Sequence, residues 1–268
     1  MSTFYVVATP IGNMDDITLR AIKVLGSVDV VLCEDTRVTK KLFTRHNIAT
    51  GGDVGPRVLS YHAHSKISRV NDVIALLREG KDIALVSDAG TPGISDPGAE
   101  LVSILRRDMA GELSENQTSE ELLDGDGTKL KIESVPGASA LTGALSIAGV
   151  HCADFVFLGF LPHKKGRETL FKEISASERT CIFYESPHRI MKTLESLVAH
   201  LSNNKNVEAG ASINARTKKR VTVCRELTKI FEEVASGSPY EVLKFFNRRA
   251  TWRCTWTAGN PPQGFAIS

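Results

Sequence analysis

Short apolar runs that break into Gly-, Pro- and carboxylate-rich loops, each followed by a helix-like stretch, organise this chain. Phe4-Tyr5-Val6-Val7-Ala8 runs into Thr9-Pro10-Ile11-Gly12-Asn13, passes Asp15-Asp16 at a cap-like position, and continues as Thr18-Leu19-Arg20-Ala21-Ile22-Lys23-Val24-Leu25. Strand, tight turn, helix is the βα unit. The grammar recurs at residues 28–33 before Glu34-Asp35-Thr36-Arg37, at 130–135 before Pro136-Gly137-Ala138-Ser139-Ala140-Leu141, and at 180–184 before Glu185-Ser186-Pro187-His188-Arg189. Its clearest instance is Ala84-Leu85-Val86-Ser87 breaking into Asp88-Ala89-Gly90-Thr91-Pro92-Gly93-Ile94-Ser95-Asp96-Pro97-Gly98. The apolar half predicts a strand buried on both faces of an α/β sheet, and ligands of such sheets sit beyond the carboxyl ends of the strands. Gly90, Gly93 and Gly98 permit close backbone approach, while Pro92 and Pro97 stiffen the loop. Several polar loops are therefore expected on one edge of the sheets.

At 268 residues and 42% hydrophobic, the chain can bury a substantial core and is long enough for two domains. No stretch approaches the roughly 20 apolar residues of a membrane span. The first strand begins close to Met1, so no leader peptide is expected. Five cysteines, Cys33, Cys152, Cys181, Cys224 and Cys254, are scattered without a C-x-x-C pair, which argues against a disulfide framework or zinc knuckle and for a reducing, cytoplasmic setting. His62-Ala63-His64 is a lone H-x-H without a third ligand nearby, so no metal is expected. Neither a G-x-G-x-x-G fingerprint nor a phosphate loop is present, which argues against dinucleotide or ATP chemistry.

The formal net charge of +2 conceals an uneven distribution. Residues 108–127 hold seven acidic side chains and no Lys or Arg. Without these seven of the 31 acidic residues, 33 basic side chains face 24 acidic ones. Basic clusters then stand out at Arg37, Lys40, Lys41, Arg45 and His46; at His163, Lys164, Lys165 and Arg167; and at Arg216, Lys218, Lys219 and Arg220. Such clusters are either solvated faces or phosphate contacts.

The strings ATPIGN, CEDTR, VSDAGTPGISDPG, VPGASALTGALSIAG, FLGFLP and FYESPHR resemble, nearly in full, the ribosomal RNA small subunit methyltransferase I family. The resemblance runs from about Phe4 to Glu233 and is interrupted twice. It implies the tetrapyrrole-methylase superfamily: two α/β domains with S-adenosylmethionine in the interdomain cleft. The implied reaction is methylation of a cytidine ribose 2′-hydroxyl in the decoding region of 16S ribosomal RNA, within the small ribosomal subunit, by a homodimer. The expected division is an N-terminal domain over 1–135, a C-terminal domain over 136–246 and a divergent tail over 247–268. Two insertions, 108–127 and 203–219, depart from the family, the first reading as a loop or disordered excursion. The tail, with Trp252, Trp256 and Pro261-Pro262, is expected to lack the family's apolar closing strand.

By the same resemblance the cofactor contacts Pro10, Asp88, Gly90, Thr91, Ile94, Ser95, Ser139, Ala140, Phe183 and Tyr184. Residue chemistry agrees: exposed amides at a helix start near Gly137 can receive a carboxylate, and aromatic rings can pack on adenine or belong to the core. Asp88 can bond a ligand amine or hydroxyl, or cap its own turn. Methyl transfer to oxygen also needs a proton removed from a weakly acidic hydroxyl. Candidates are Glu34, Asp35, Glu185 and His188, each just after a strand-like run; Glu185 and Arg189 could equally form a structural ion pair. Arg37, Lys164, Lys165, Arg167 and Arg189 are the candidate RNA contacts. Two alternatives stay open: the same fold acting on a porphyrinoid carbon, and a non-catalytic RNA-binding remnant.

Overall fold

Val30, Val31, Leu32 and Cys33 are all buried, the signature of a strand covered on both faces. They form the second strand of a five-stranded parallel sheet in the first of two compact units, Met1–Ser139 and Ala140–Ser268. The computed structural model describes residues 2–51, 55–61, 67–96, 98–109, 130–202, 219–248 and 263–267. His62 and His64, the acidic stretch 110–127, and residues 203–218 lie outside them.

In the first unit the strands are β1 (Ser2–Val7), β2 (Val30–Cys33), β3 (Arg57–Ser60), β4 (Ile83–Leu85) and β5 (Leu130–Val135), in the order β3-β2-β4-β1-β5. Phe4 is in register with Ile83 on one side and Ile132 on the other, so β1 lies between β4 and β5, and β4, paired also with β2, is the middle strand. Helices α1 (Leu19–Ser27) and α2 (Thr36–Arg45) add Ala21, Leu25, Leu42 and Phe43 to a core with Val7, Val31 and Ala84. On the other face, α3 (Ile67–Arg78) and α4 (Gly98–Met109) add Val70, Val73, Leu77, Leu101 and Leu105 to Phe4, Leu32 and Ile83. The result is three layers, helix on sheet on helix.

The start of α1 is not where the carboxylates suggest. Asp15 and Asp16 sit in a single 3-10 turn capped by Asn13, and the cap of α1 is Thr18, whose side chain accepts from the Ala21 amide. That cap is worth about 1 kcal/mol. Burying Leu25 contributes about 1.5–3 kcal/mol, so packing rather than capping holds the helix to the sheet.

The second unit is mixed. Helix α5 (Ala140–Ala148) leads into β6 (Phe155–Phe160), α6 (Arg167–Ala176), β7 (Thr180–Glu185), α7 (Ile190–Ser202), β8 (Val221–Arg225), β9 (Glu233–Gly237), α8 (Pro239–Arg248) and β10 (Gln263–Ile267). The order is β6-β7-β10-β8-β9; β6 and β7 are parallel, and β10 runs antiparallel to both neighbours. Phe171, Ile174, Leu194, Leu197, Val242 and Phe246 from α6, α7 and α8 meet Cys181, Phe183, Val221 and Val223 in one core.

The expectation that the tail lacks a closing strand is corrected by β10, which lies between β7 and β8. Its sequence, Gln263-Gly264-Phe265-Ala266-Ile267, is short and contains a glycine, so its own pattern signals a strand weakly. What requires it is the pair of neighbours: every residue of β7 is buried, and its backbone groups need partners.

Ending the chain after Arg248 removes β10, and each buried backbone group left unpaired costs about 1–3 kcal/mol. Amide exchange should then show β7 and β8 unprotected; native-like protection of β7 in that variant would show that β10 is dispensable.

Candidate active site

At the carboxyl ends of β1 and β4, adjacent strands, the chain leaves toward opposite faces: α1 follows β1 on one face and α4 follows β4 on the other. Diverging connections leave a crevice between the loops, the general ligand position of open α/β sheets. The two loops are laced together. Thr9 N–H donates to the Gly90 carbonyl at 2.9 Å and Gly90 N–H to the Thr9 carbonyl at 3.0 Å. The Thr9 hydroxyl reaches the Ser87 carbonyl at 3.0 Å, and the Thr91 hydroxyl reaches the Ala138 carbonyl at 3.1 Å, tying in the loop after β5.

Gly90 adopts φ +85°, and a Cβ there would stand 3.3 Å from the Ile11 side chain. Further along, the Asp96 carboxylate accepts from the amides of Gly93 at 2.7 Å and Gly98 at 2.8 Å, curling the loop onto itself. A Cβ on Gly98 would meet Asp96 Oδ1 at 2.9 Å and Gly93 N at 3.0 Å, so only glycine fits the start of α4. Ser95 is held at φ 69°, a left-handed conformation costing roughly 1–2 kcal/mol for an L residue.

Three carboxylates sit where β2 and β4 end. The Asp35 amide donates to Asp88 Oδ1 at 2.9 Å, and the Asp88 amide approaches Glu34 Oε1 at 3.5 Å. Asp35 also caps α2 and grips Arg37 Nη2 at 2.6 Å. The three differ in acidity for physical reasons. The Arg37 guanidinium holds Asp35 down to about 2. Glu34 is pushed up, first by partial burial and then by the Asp88 charge. Asp88 is pushed up by burial as well, partly offset by the Asp35 amide. Among the described residues, Asp88 Oδ2 and Glu34 Oε2 accept no hydrogen bond, so each keeps an acceptor for a ligand.

In the second unit, polar side chains converge on Glu185, at the end of β7 and fully buried. Arg189 Nη2 lies 2.6 Å from Oε1, Arg167 Nη2 3.3 Å from Oε2, and the Thr193 hydroxyl donates to Oε2 at 2.6 Å. The Ser186 amide donates to Oε1 at 2.8 Å. Tyr184 is buried, its hydroxyl pushed up to about 12 by burial; the opposing influence is the Leu141 amide in the first turn of α5, which donates to it. Phe183 belongs to the core with Phe171 and Leu194.

The sequence profile of the tetrapyrrole (corrin/porphyrin) methylases matches residues 3–112 and 116–242. A protein of Halalkalibacterium halodurans named ribosomal RNA small subunit methyltransferase I is 39% identical over 263 residues, spanning 96% of this chain and 76% of that one. One of the same name from Thermotoga maritima is 33% identical, spanning 93% of this chain and 94% of its own length. The chain belongs to the ribosomal RNA small subunit methyltransferase I family. Two solved structures share the fold: a cobalamin biosynthetic enzyme, cobalt precorrin-4 methyltransferase, with a TM-score of 0.56 at 18% identity over 99% of this chain and 93% of that one, and the methyltransferase CobJ, with 0.57 at 17% over 99% and 92%. Identities that low speak to the fold alone.

As a member of the ribosomal RNA small subunit methyltransferase I family, the chain is a methyltransferase, and the residues expected to serve it fall into distinct groups. Pro10, Asp88, Gly90, Thr91, Ile94 and Ser95 come together around the β1–β4 crevice, with Pro10 and Gly90 buried and Ile94 and Ser95 exposed. Ser139 and Ala140 stand where β5 passes into α5. The Phe183 ring faces the core, and its backbone lies inside the sheet, in register with Phe265 of β10. His188, Lys164 and Lys165 are exposed, whereas the guanidiniums of Arg167 and Arg189 are spent on Glu185 and on the Pro162 and Leu161 carbonyls, each at 3.0 Å. Arg37 is exposed but paired with Asp35.

Sequence reasoning passed over Thr9, Ser87 and Thr193. Thr193 sits on the buried stripe of α7 with Ile190, Leu194 and Leu197, and a hydroxyl among those apolar positions is the signal that a buried polar partner exists. Among the described residues no group of three or more His, Cys, Asp or Glu side chains is placed to hold a metal ion, and no helix is long and apolar enough to cross a membrane.

Because Asp88 adds to the upward shift of Glu34, Asp88→Asn should lower the Glu34 titration midpoint while the amide oxygen still accepts from Asp35. Carboxyl-carbon NMR through the acid range reads this directly, and an unmoved midpoint would mean that the two carboxylates are not coupled.

Proposed function

We propose that this chain transfers a methyl group from S-adenosylmethionine to the ribose 2′-hydroxyl of a cytidine in the decoding region of 16S ribosomal RNA. The observation that carries the reading is the end-to-end likeness to proteins named ribosomal RNA small subunit methyltransferase I, at 33–39% identity over more than nine-tenths of the chain. The β1–β4 crevice supports it. Beside the laced Thr9–Gly90 loops, an acceptor left on Asp88 and an exposed apolar Ile94 suit a ligand with an amine, hydroxyls and an aromatic base. The cofactor, when bound, supplies an electrophilic methyl group on sulfur.

The residues must position the acceptor and accept its proton. Glu34 is the best-placed base: it is half-buried, its affinity for a proton is raised, and one oxygen is open. Those conditions bring a carboxylate nearer to neutral pH, where general-base catalysis is most effective. Asp35, held at about 2, is too weak a base for the task. Lys164 and Lys165, exposed in the loop before α6, are the groups proposed to meet phosphate. Ser139 and Ala140 bring the start of α5, a favourable place for a carboxylate. A cytoplasmic homodimer acting on the small subunit is the accompanying expectation.

The test is transfer of labelled methyl groups from S-adenosylmethionine to small-subunit particles, followed by mapping of ribose methylation. A single methylated cytidine ribose is expected. Label on a base, or on uroporphyrinogen in place of the particles, would refute the assignment. Glu34→Gln should lower kcat about 100-fold, the low end of general-base contributions, with cofactor affinity retained in calorimetry. Undiminished turnover would pass the role to His188.

A further inference from the structure

Glu185 stands in a family string and at the end of a strand, the place of a catalytic carboxylate. Its surroundings give it a different task. The side chain is fully buried, and its two oxygens accept from Arg189, the Ser186 amide, Arg167 and the Thr193 hydroxyl. A carboxylate offers about four lone-pair sites, so these donors fill it. A substrate hydroxyl would have to displace one of them and enter a site without solvent access.

The same guanidiniums reach past Glu185 to a neighbouring loop. Arg189 Nη1 donates to the Leu161 carbonyl and Arg167 Nη1 to the Pro162 carbonyl, both at 3.0 Å. These consecutive carbonyls open the loop 161–166, whose next residues, His163, Lys164 and Lys165, are exposed. The loop closes on the same residue: the Arg167 amide donates to the Lys164 carbonyl at 3.3 Å, with Gly166 at φ 83° making the turn. Arg167 also lies over the Phe171 ring at 5.0 Å, and its Nη2 meets the Thr193 hydroxyl at 2.5 Å. One buried negative charge thus fixes two arginines that would otherwise repel each other, and through them both ends of a lysine-bearing loop.

We propose that Glu185 is a positioning residue for RNA: through Arg167 and Arg189 it holds the loop 161–166 so that Lys164 and Lys165 present their charges to the phosphate backbone in a set arrangement. This rests on the ribosomal RNA reading above. Holding both lysines before the encounter removes an ordering cost from binding, and the net positive charge left by two arginines on one carboxylate adds to the field at the loop.

The experiment is steady-state kinetics on small-subunit particles for the wild type, Glu185→Gln, Thr193→Val, the double variant Lys164→Ala/Lys165→Ala, and the combination of Glu185→Gln with that double variant. Glu185→Gln should raise KM for the particles about tenfold, comparable to one lost charge-assisted contact, with kcat retained. The combined variant should be hardly worse than the lysine double variant, because unpositioned lysines have nothing further to lose. Thr193→Val, which withdraws one donor from Glu185, should move KM in the same direction by less and stands in for Glu185→Gln if that chain does not fold. A fall in kcat at unchanged KM would make Glu185 a base, and a lowered melting temperature with both constants unchanged would make it a structural ion pair; either overturns the proposal. Wild-type failure to methylate the particles would instead overturn the RNA reading.

Discussion

Two neighbouring parallel strands send their chains to opposite faces of one sheet, and the first unit is built around the gap this leaves. A gap at strand ends exposes backbone N–H and C=O groups that a packed protein must satisfy. Here the reciprocal pair between Thr9 and Gly90 closes the floor, and the Ser87 and Thr91 hydroxyls complete the neighbouring groups. Gly90 supplies the left-handed turn and the missing Cβ that let the strands' loops meet. Pro10, Asp88 and Ile94 are brought together by that closure; none could be set by its own segment.

The two buried or half-buried glutamates at strand ends show how environment divides labour between like groups. Glu34 is partly buried and has a carboxylate neighbour, Asp88, so it binds a proton more readily than an ordinary glutamate. Glu185 has two arginines, a threonine and an amide, so its charge is spent on holding structure. Removing one partner of such a buried pair leaves an uncompensated charge, a far larger penalty than the net value of the pair itself.

Much of this was legible in the chain. Repeated strand–loop–helix patterns gave the α/β class and the loop edge, and long strings of matching residues gave the family. Single side chains were harder to place. Arg167 read as a phosphate contact because charge along a sequence does not reveal a buried partner 18 residues away, whereas the pairing of Arg189 with Glu185 was one of two readings the sequence left open. Phe183 and Tyr184 alternate across β7, so one ring enters the core while the other reaches the α5 start. The closing strand was missed because its place is dictated by the hydrogen-bonding needs of β7 and β8 rather than by its own five residues.

The most direct test of the crevice as the cofactor site is amide hydrogen exchange with and without saturating S-adenosylhomocysteine, the demethylated product of the proposed donor. Added protection at residues 11–13 and 88–95, with β3 and the amino-terminal ends of the strands unchanged, is the expected result. Tight binding with no change in those two loops would contradict the assignment.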